Sequence, residues 1–230
     1  MFKAHPISFH SKKLQETQDE YRKLLPSSCI KMRFSKWSPD KRRFSLGIVG
    51  ARKASLYGIS LTERVVKSLR NHPVEIVSGG AYGIDSRAHR AAIEYGLPTQ
   101  SWLVGSDRQL SPFSNRELFR QIVQTPESAL IIPEHLFIGP KNPIRRYFWP
   151  HRNYWIAAAS DLVLIVEAHE KSGTWWTAQA CQDLNVPVFA FPGSLQSPAS
   201  RGTNSMITKH YVNCVSSVEE LQECILAAMD

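Results

Sequence analysis

Four loops in this chain carry residue types suited to holding a phosphate. The first is Gly50-Ala51-Arg52-Lys53-Ala54-Ser55-Leu56-Tyr57-Gly58. Gly50 permits a tight turn, Ser55 can cap a helix or donate to an anion, and backbone N–H groups at a helix start suit a phosphate. The spacing is not that of the dinucleotide fingerprint G-x-G-x-x-G. Arg52 stands where its second glycine would let a pyrophosphate come close, and offers instead a planar fork to a phosphate arriving from outside. The second loop, Ser78-Gly79-Gly80-Ala81-Tyr82-Gly83-Ile84-Asp85, has three glycines before a helix and predicts a nest of N–H groups. It lacks the carboxylate that would bind an adenosine ribose at this point, which argues against a nicotinamide or flavin enzyme. The third, Ser172-Gly173-Thr174 behind Lys171, opens another helix. The fourth combines Pro192-Gly193 with Arg201-Gly202-Thr203-Asn204.

Between the second and third of these lies the segment 141–155, KNPIRRYFWPHRNYW. It holds Lys141, Arg145, Arg146, His151 and Arg152 with no carboxylate, interleaved with Tyr147, Phe148, Trp149, Tyr154 and Trp155. Cations can track a phosphate backbone while aromatic faces stack bases, each worth about 1–3 kcal/mol in single-strand binders. Trp155, on its helix, is expected to pack in the core. Asp85 and His89 stand four apart on one helix. They could form an acid–base pair, but no nucleophile or third metal ligand accompanies them. The favoured reading has Asp85 stabilising the helix start and His89 packing against it.

These loops need a scaffold. Apolar runs at 44–50, 74–78, 99–105, 128–133, 162–168 and 187–193 read as buried strands. Helical spacing at 60–71, 84–95, 115–124, near 152–160 and 177–184 separates them, and a short strand near 211–217 leads to a terminal helix. This alternation predicts right-handed βαβ units, hence an α/β fold with a doubly wound, mostly parallel sheet of extended Rossmann-like type over residues 44–230. In such a sheet ligands bind beyond the carboxyl ends of the strands, where the four loops fall.

Composition narrows the classes. With 43% hydrophobic and 21% charged residues the 230-residue chain reads as an ordinary globular protein. No apolar run approaches the roughly 18–20 residues of a membrane span, and the first residues lack the apolar core of a signal peptide. A cytoplasmic protein is expected. Cys29, Cys181, Cys214 and Cys224 form no C-x-x-C pair, so neither zinc nor a disulfide framework is called for. The net charge of +8 is uneven. Residues 1–45 carry 11 Lys/Arg against 4 Asp/Glu, and the rest 17 against 16. Residues 1–43 therefore read as a basic arm, with a short helix possible at 11–25 and an aperiodic stretch at 27–43. That asymmetry points to a polyanion.

Taken together, five ordered motifs resemble the DNA-processing protein A (DprA/Smf) family. GARKASLYG (50–58) is similar to its G-x-R-x-x-[ST]-x-Y-G, and SGGAYGIDSRAH (78–89) to its S-G-x-A-x-G-I-D-x-x-A-H. FWPHRNYWIAAASDLVLIVEA (148–168) is similar to F-x-x-R-N-R-I-I-A-x-L-S and the strand that follows, SGTWWTA (172–178) to S-G-[ST]-L-x-T-A, and VFAFPG with RGTN to the closing motifs. The resemblance covers about residues 45–210. It implies a single-stranded DNA-binding protein of natural transformation, without turnover or cofactor, that dimerises and hands its strand to the RecA recombinase. On matching positions Arg52 and Arg152 would contact phosphates, Phe148 would stack a base, and residues 172–174 would help form the pocket floor. The expected DNA-binding set is Gly50, Arg52, Ser55, Ser78, Gly79, Gly80, Lys141, Arg145, Arg146, Phe148, Arg152, Asn153, Ser172, Gly173 and Thr174. The chain departs from the pattern at Tyr154, where the family has a second arginine, and at Trp175 and Trp176, where smaller aliphatic residues are usual. The family's N-terminal helical domain and C-terminal winged helix are not expected here.

A different class, a small-nucleotide sensor or nucleotide hydrolase, stays open, with Glu134 and Glu167 as its available carboxylates. The phosphoribohydrolase motif P-G-G-x-G-T-x-x-E is not matched, because Ser194 and Leu195 follow Pro192-Gly193.

Overall fold

A computed structural model describes residues 29–32, 43–106, 109–133, 136, 138 and 144–229. The proposed helix at 11–25 and Lys141 lie outside them. Strand β1 is Cys29–Met32, β2 Phe44–Val49, β3 Val74–Ser78, β4 Thr99–Trp102, β7 Ala129–Pro133, β8 Leu162–Ile165, β9 Val188–Ala190 and β10 Asn213–Cys214. They form one eight-stranded sheet in the order β1-β7-β4-β3-β2-β8-β9-β10. Seven strands run parallel, and β1 pairs antiparallel with β7, Cys29 opposite Pro133 and Met32 opposite Leu130. The stretch CIKM, read from sequence as part of an aperiodic arm, thus closes one edge of the sheet.

Helices α1 (Leu56–Ser68), α2 (Ile84–Glu94), α3 (Arg116–Gln124), α4 (Phe148–Ala158), α5 (Thr174–Asp183), α6 (Arg201–Thr208) and α7 (Val218–Ala227) connect the strands. Residues of β2, β3 and β8 are buried throughout, as strands covered on both faces must be. On one face Leu46, Ile48, Ile76 and Leu164 pack against α1, α2 and α7; on the other Val49, Val163 and Ile165 pack against α4, α5 and α6. The connection leaving β2 enters α1 on the first face, and the connection leaving β8 enters α5 on the second. Because β2 and β8 are neighbours, Leu46 opposite Leu162, their outgoing loops diverge and open a crevice between them.

Two local expectations change. The run 99–105 breaks after Trp102, and Gly105–Ser106 (β5) pairs instead with Gln109–Leu110 (β6) in a separate two-stranded sheet. Residues 201–204, read as a loop, are the first turn of α6. Gly202 donates its N–H to the Ala168 carbonyl at 2.7 Å, and Asn204 clasps Gly193 through two hydrogen bonds of 3.0 and 2.9 Å. The fourth glycine loop is therefore held shut by structure.

Candidate functional site

The crevice between the ends of β2 and β8 is a cleft of about 580 Å³. Its cations are Arg52 and Lys53 from the loop after β2, Arg146 and Arg152 from the start and middle of the α4 region, and Lys171 from the loop before α5. Asp85 is the sole carboxylate among the described residues that line it.

The two helices that begin at this point treat their N-termini differently. At α1 the site is filled by the protein. Ser55 caps the helix by accepting the Gly58 N–H at 3.1 Å, and both its N–H (2.9 Å) and its hydroxyl donate to the Glu167 carboxylate. A Cβ at Gly58 would overlap that carboxylate. Glu167 is buried and occupies the place where a dinucleotide pyrophosphate would sit. Ser55, expected to face an anion, is instead spent inside the fold. This also removes Glu167 as a free catalytic carboxylate.

At α5 no such plug exists among the described residues. Asn153 Nδ2 donates to the Gly173 carbonyl at 3.1 Å, the Ser172 and Thr174 hydroxyls bond each other, and Ser172 Oγ accepts the Thr174 N–H at 3.2 Å. The first turn carries no acidic residue, and nothing lies within 4 Å of where a Gly173 Cβ would be. The positive end of this helix thus opens onto the cleft.

Arg152 is the anomaly of the site. Its side chain is 5% exposed and its Nη1 lies 3.6 Å from Asp85 Oδ2, an ion pair beyond hydrogen-bond length. Neither Nε nor Nη1 has a hydrogen-bond acceptor among the described residues. Burial pushes the Asp85 carboxyl up, against the pull of Arg152, and burial likewise lowers Arg152, which Asp85 opposes; a guanidinium nonetheless stays protonated. Gly79 explains how the group fits: a Cβ there would occupy the position of Arg152 Nη1. The second glycine loop therefore makes room for a guanidinium. Two cations approach the Trp149 ring, Arg52 at 5.3 Å and Arg152 at 5.5 Å from its centroid.

Of the residues expected from sequence, the cleft brings together Gly50, Arg52, Arg146, Arg152, Asn153, Ser172, Gly173 and Thr174. Ser78 lies beneath it, its hydroxyl on the Ile48 carbonyl at 2.6 Å, and Gly80 turns with φ 66° and accepts from Asn115 Nδ2 at 3.0 Å. Arg145 is exposed outside the lining. Phe148 is half-buried, packed against core residues, with the Tyr147 ring 4.2 Å away. Trp155, half-buried, stacks on the buried Trp102 at 5.8 Å and packs against the core, as expected. Tyr154 packs against the core of its face and not in the cleft. Asp85 and His89 do not pair. The Thr99 hydroxyl donates to the Ile76 carbonyl, so it accepts from His89 Nδ1–H at 2.7 Å, and burial drops the His89 pKa to about 3. Trp149 and Trp176 were not in the expected set, although both line the cleft. For Trp149 a signal was present, since Trp149, Arg152 and Asn153 share one helix face at i, i+3 and i+4.

Among the described residues no cluster of three or more His, Cys, Asp or Glu could hold a metal, and no helix is long and apolar enough to cross a membrane.

Comparison with known proteins matches residues 35–226 to the model of one family, "DNA recombination-mediator protein A". The DNA processing protein DprA of Bacillus subtilis is 30% identical over 178 residues, covering 77% of this chain and 58% of that protein. That of Streptococcus pneumoniae is 32% identical over 175 residues, covering 76% and 60%. The chain thus spans well under two thirds of these relatives. The X-ray structure of the S. pneumoniae protein superposes with a TM-score of 0.69 at 29% identity, over 79% of this chain and 61% of that one. DNA processing protein A from Helicobacter pylori, a structure described in terms of a unique single-stranded DNA binding mode, shares the fold with a TM-score of 0.68 at 24% identity, over 80% of each chain.

Proposed function

The chain belongs to the DNA recombination-mediator protein A family, and from that premise we propose that its switch-point cleft binds the phosphates of single-stranded DNA without chemical turnover. The observation that carries the reading is the cleft lining, in which Arg152, a guanidinium taken out of water beside Asp85, stands among four further cations. Such a group is costly unless an anionic ligand completes it. Arg52, Lys53, Arg146 and Lys171 around it supply cations for successive phosphates, and the open end of α5 supplies N–H dipoles. The small-nucleotide alternative loses ground because Glu167 fills the pyrophosphate position at α1.

The protein protects single strands in the cytoplasm, acts as a homodimer, and passes its strand to the RecA recombinase; these finer roles rest on the resemblance of motifs and on the named relatives. The first test is fluorescence anisotropy of a labelled oligo-dT strand against a matching duplex, with ATP as competitor, at two salt concentrations. Preferential, salt-sensitive binding that ATP does not displace is expected, and displacement by low ATP would move the function to small nucleotides. Arg52→Ala should weaken every sequence alike and lower the salt slope by about 0.7, the loss of one single-strand phosphate contact. An unchanged slope would take Arg52 out of the site.

A further inference from the structure

We infer that Trp176 is the face on which the cleft stacks a nucleobase, while Trp149 serves as a mount for the two arginines. The inference rests on the single-strand reading above and adds to it the residue that meets the bases. A polynucleotide in the cleft presents bases as well as phosphates, and the aromatic side chains around it differ in what remains free. The Trp149 ring already carries Arg52 and Arg152 within 5.5 Å. Phe148 is half-buried beside Tyr147 and does not line the cleft. Trp175 is fully committed: its Nε1 donates to the Glu170 carbonyl at 3.0 Å, Tyr211 meets it edge-on at 5.4 Å, and Lys209 lies 5.6 Å from its ring.

Trp176 is the opposite case. It lines the cleft beside 171–174, is 58% exposed, and has no ring or cation contact among the described residues. An indole left this open to water forgoes the burial that makes tryptophan stabilising. Its position, in the first turn of α5, sets its ring next to the end of the helix that faces the anion. A nucleotide whose phosphate lies against Lys171 and that helix end has its base within reach of the ring. Stacking of this kind tolerates every base and favours those with larger π faces. It therefore supplies affinity that does not depend on salt, alongside the salt-dependent contacts of the arginines.

The test compares two strands of equal length, oligo-dA and a fully abasic phosphodiester strand, by anisotropy at one salt concentration, for wild type, Trp176→Ala and Trp176→Phe. The alanine variant is expected to bind oligo-dA about tenfold more weakly and the abasic strand as wild type does, with the phenylalanine variant recovering most of the loss. Equal losses on both strands, or no loss on oligo-dA, would overturn the stacking role. Failure of the wild-type protein to bind either strand would overturn the single-strand reading itself.

Discussion

At the amino rim of the sheet the buried Glu75 carboxylate accepts from Ser45 Oγ at 2.6 Å and Gln100 Nε2 at 2.7 Å, whereas at the carboxyl rim the equally buried Arg152 has two nitrogen positions without acceptors among the described residues. The surroundings of Glu75 are also closed. Asp161 accepts the Ser45 N–H at 2.8 Å, Ser128 accepts that of Thr99 at 2.9 Å, and Arg43 pairs with Glu127. Both rims take charge out of water, but only one supplies partners for it. A satisfied network holds neighbouring strands together, while an under-partnered cation at the wall of a cleft keeps the potential there positive for an anion.

The comparison breaks most visibly at Arg152. Arg152→Ala should strip DNA binding and leave Asp85 as an uncompensated buried charge, lowering stability by about 3–5 kcal/mol in denaturant titrations. The pair Arg152→Met with Asp85→Asn should regain most of that stability and none of the binding. If the double variant bound DNA, the cation would be structural only. Next in size, Glu75→Ala leaves Ser45 and Gln100 without their acceptor and should cost about 1–3 kcal/mol, with strand affinity unchanged. A loss of affinity there would mean that the rims are coupled.

The smallest effect is a pH dependence. Burial raises the Glu75 pKa above its ordinary 4.5 in spite of two donors. The native state then keeps a proton that the unfolded chain releases, so stability falls as pH rises from 4.5 through the raised native value. Glu75→Gln keeps an acceptor oxygen and cannot titrate. Its melting midpoint should therefore gain on wild type across that window and level off above it, and a constant difference would show that Glu75 is not protonated in the native state.

What the sequence made legible follows from the same physics. Strands buried on both faces leave continuous apolar runs, and the switch-point rule places chemistry just beyond them, which gathers Arg52 and 172–174; the acid-free segment 141–155 supplies Arg152, and the resemblance of motifs adds Asn153. The capping role of Ser55 is legible locally, but its partner Glu167 is not, because it is 112 residues away and only the β2–β8 pairing brings the two together. Gly79 looked like part of an anion nest because nothing local announces a guanidinium arriving from α4. The first turn of α6 looked like a loop because its glycine is needed for close approach to the Ala168 carbonyl. Four residues of edge strand, CIKM, carry too short a pattern to register.

That edge strand has a consequence for the charge of the whole molecule. Because β1 runs antiparallel to its neighbours, Met32 sits at the amino rim, and so does Arg43 at the entry to β2. Met32 and Arg43 thus share the rim opposite the cleft. The six residues of β2 separate the rims by about 20 Å, more than two Debye lengths of about 8 Å at physiological ionic strength. A strand lying in the cleft is screened from the Arg43 guanidinium at that rim, and among the described residues the cations that line its path are Arg52, Lys53, Arg146, Arg152 and Lys171.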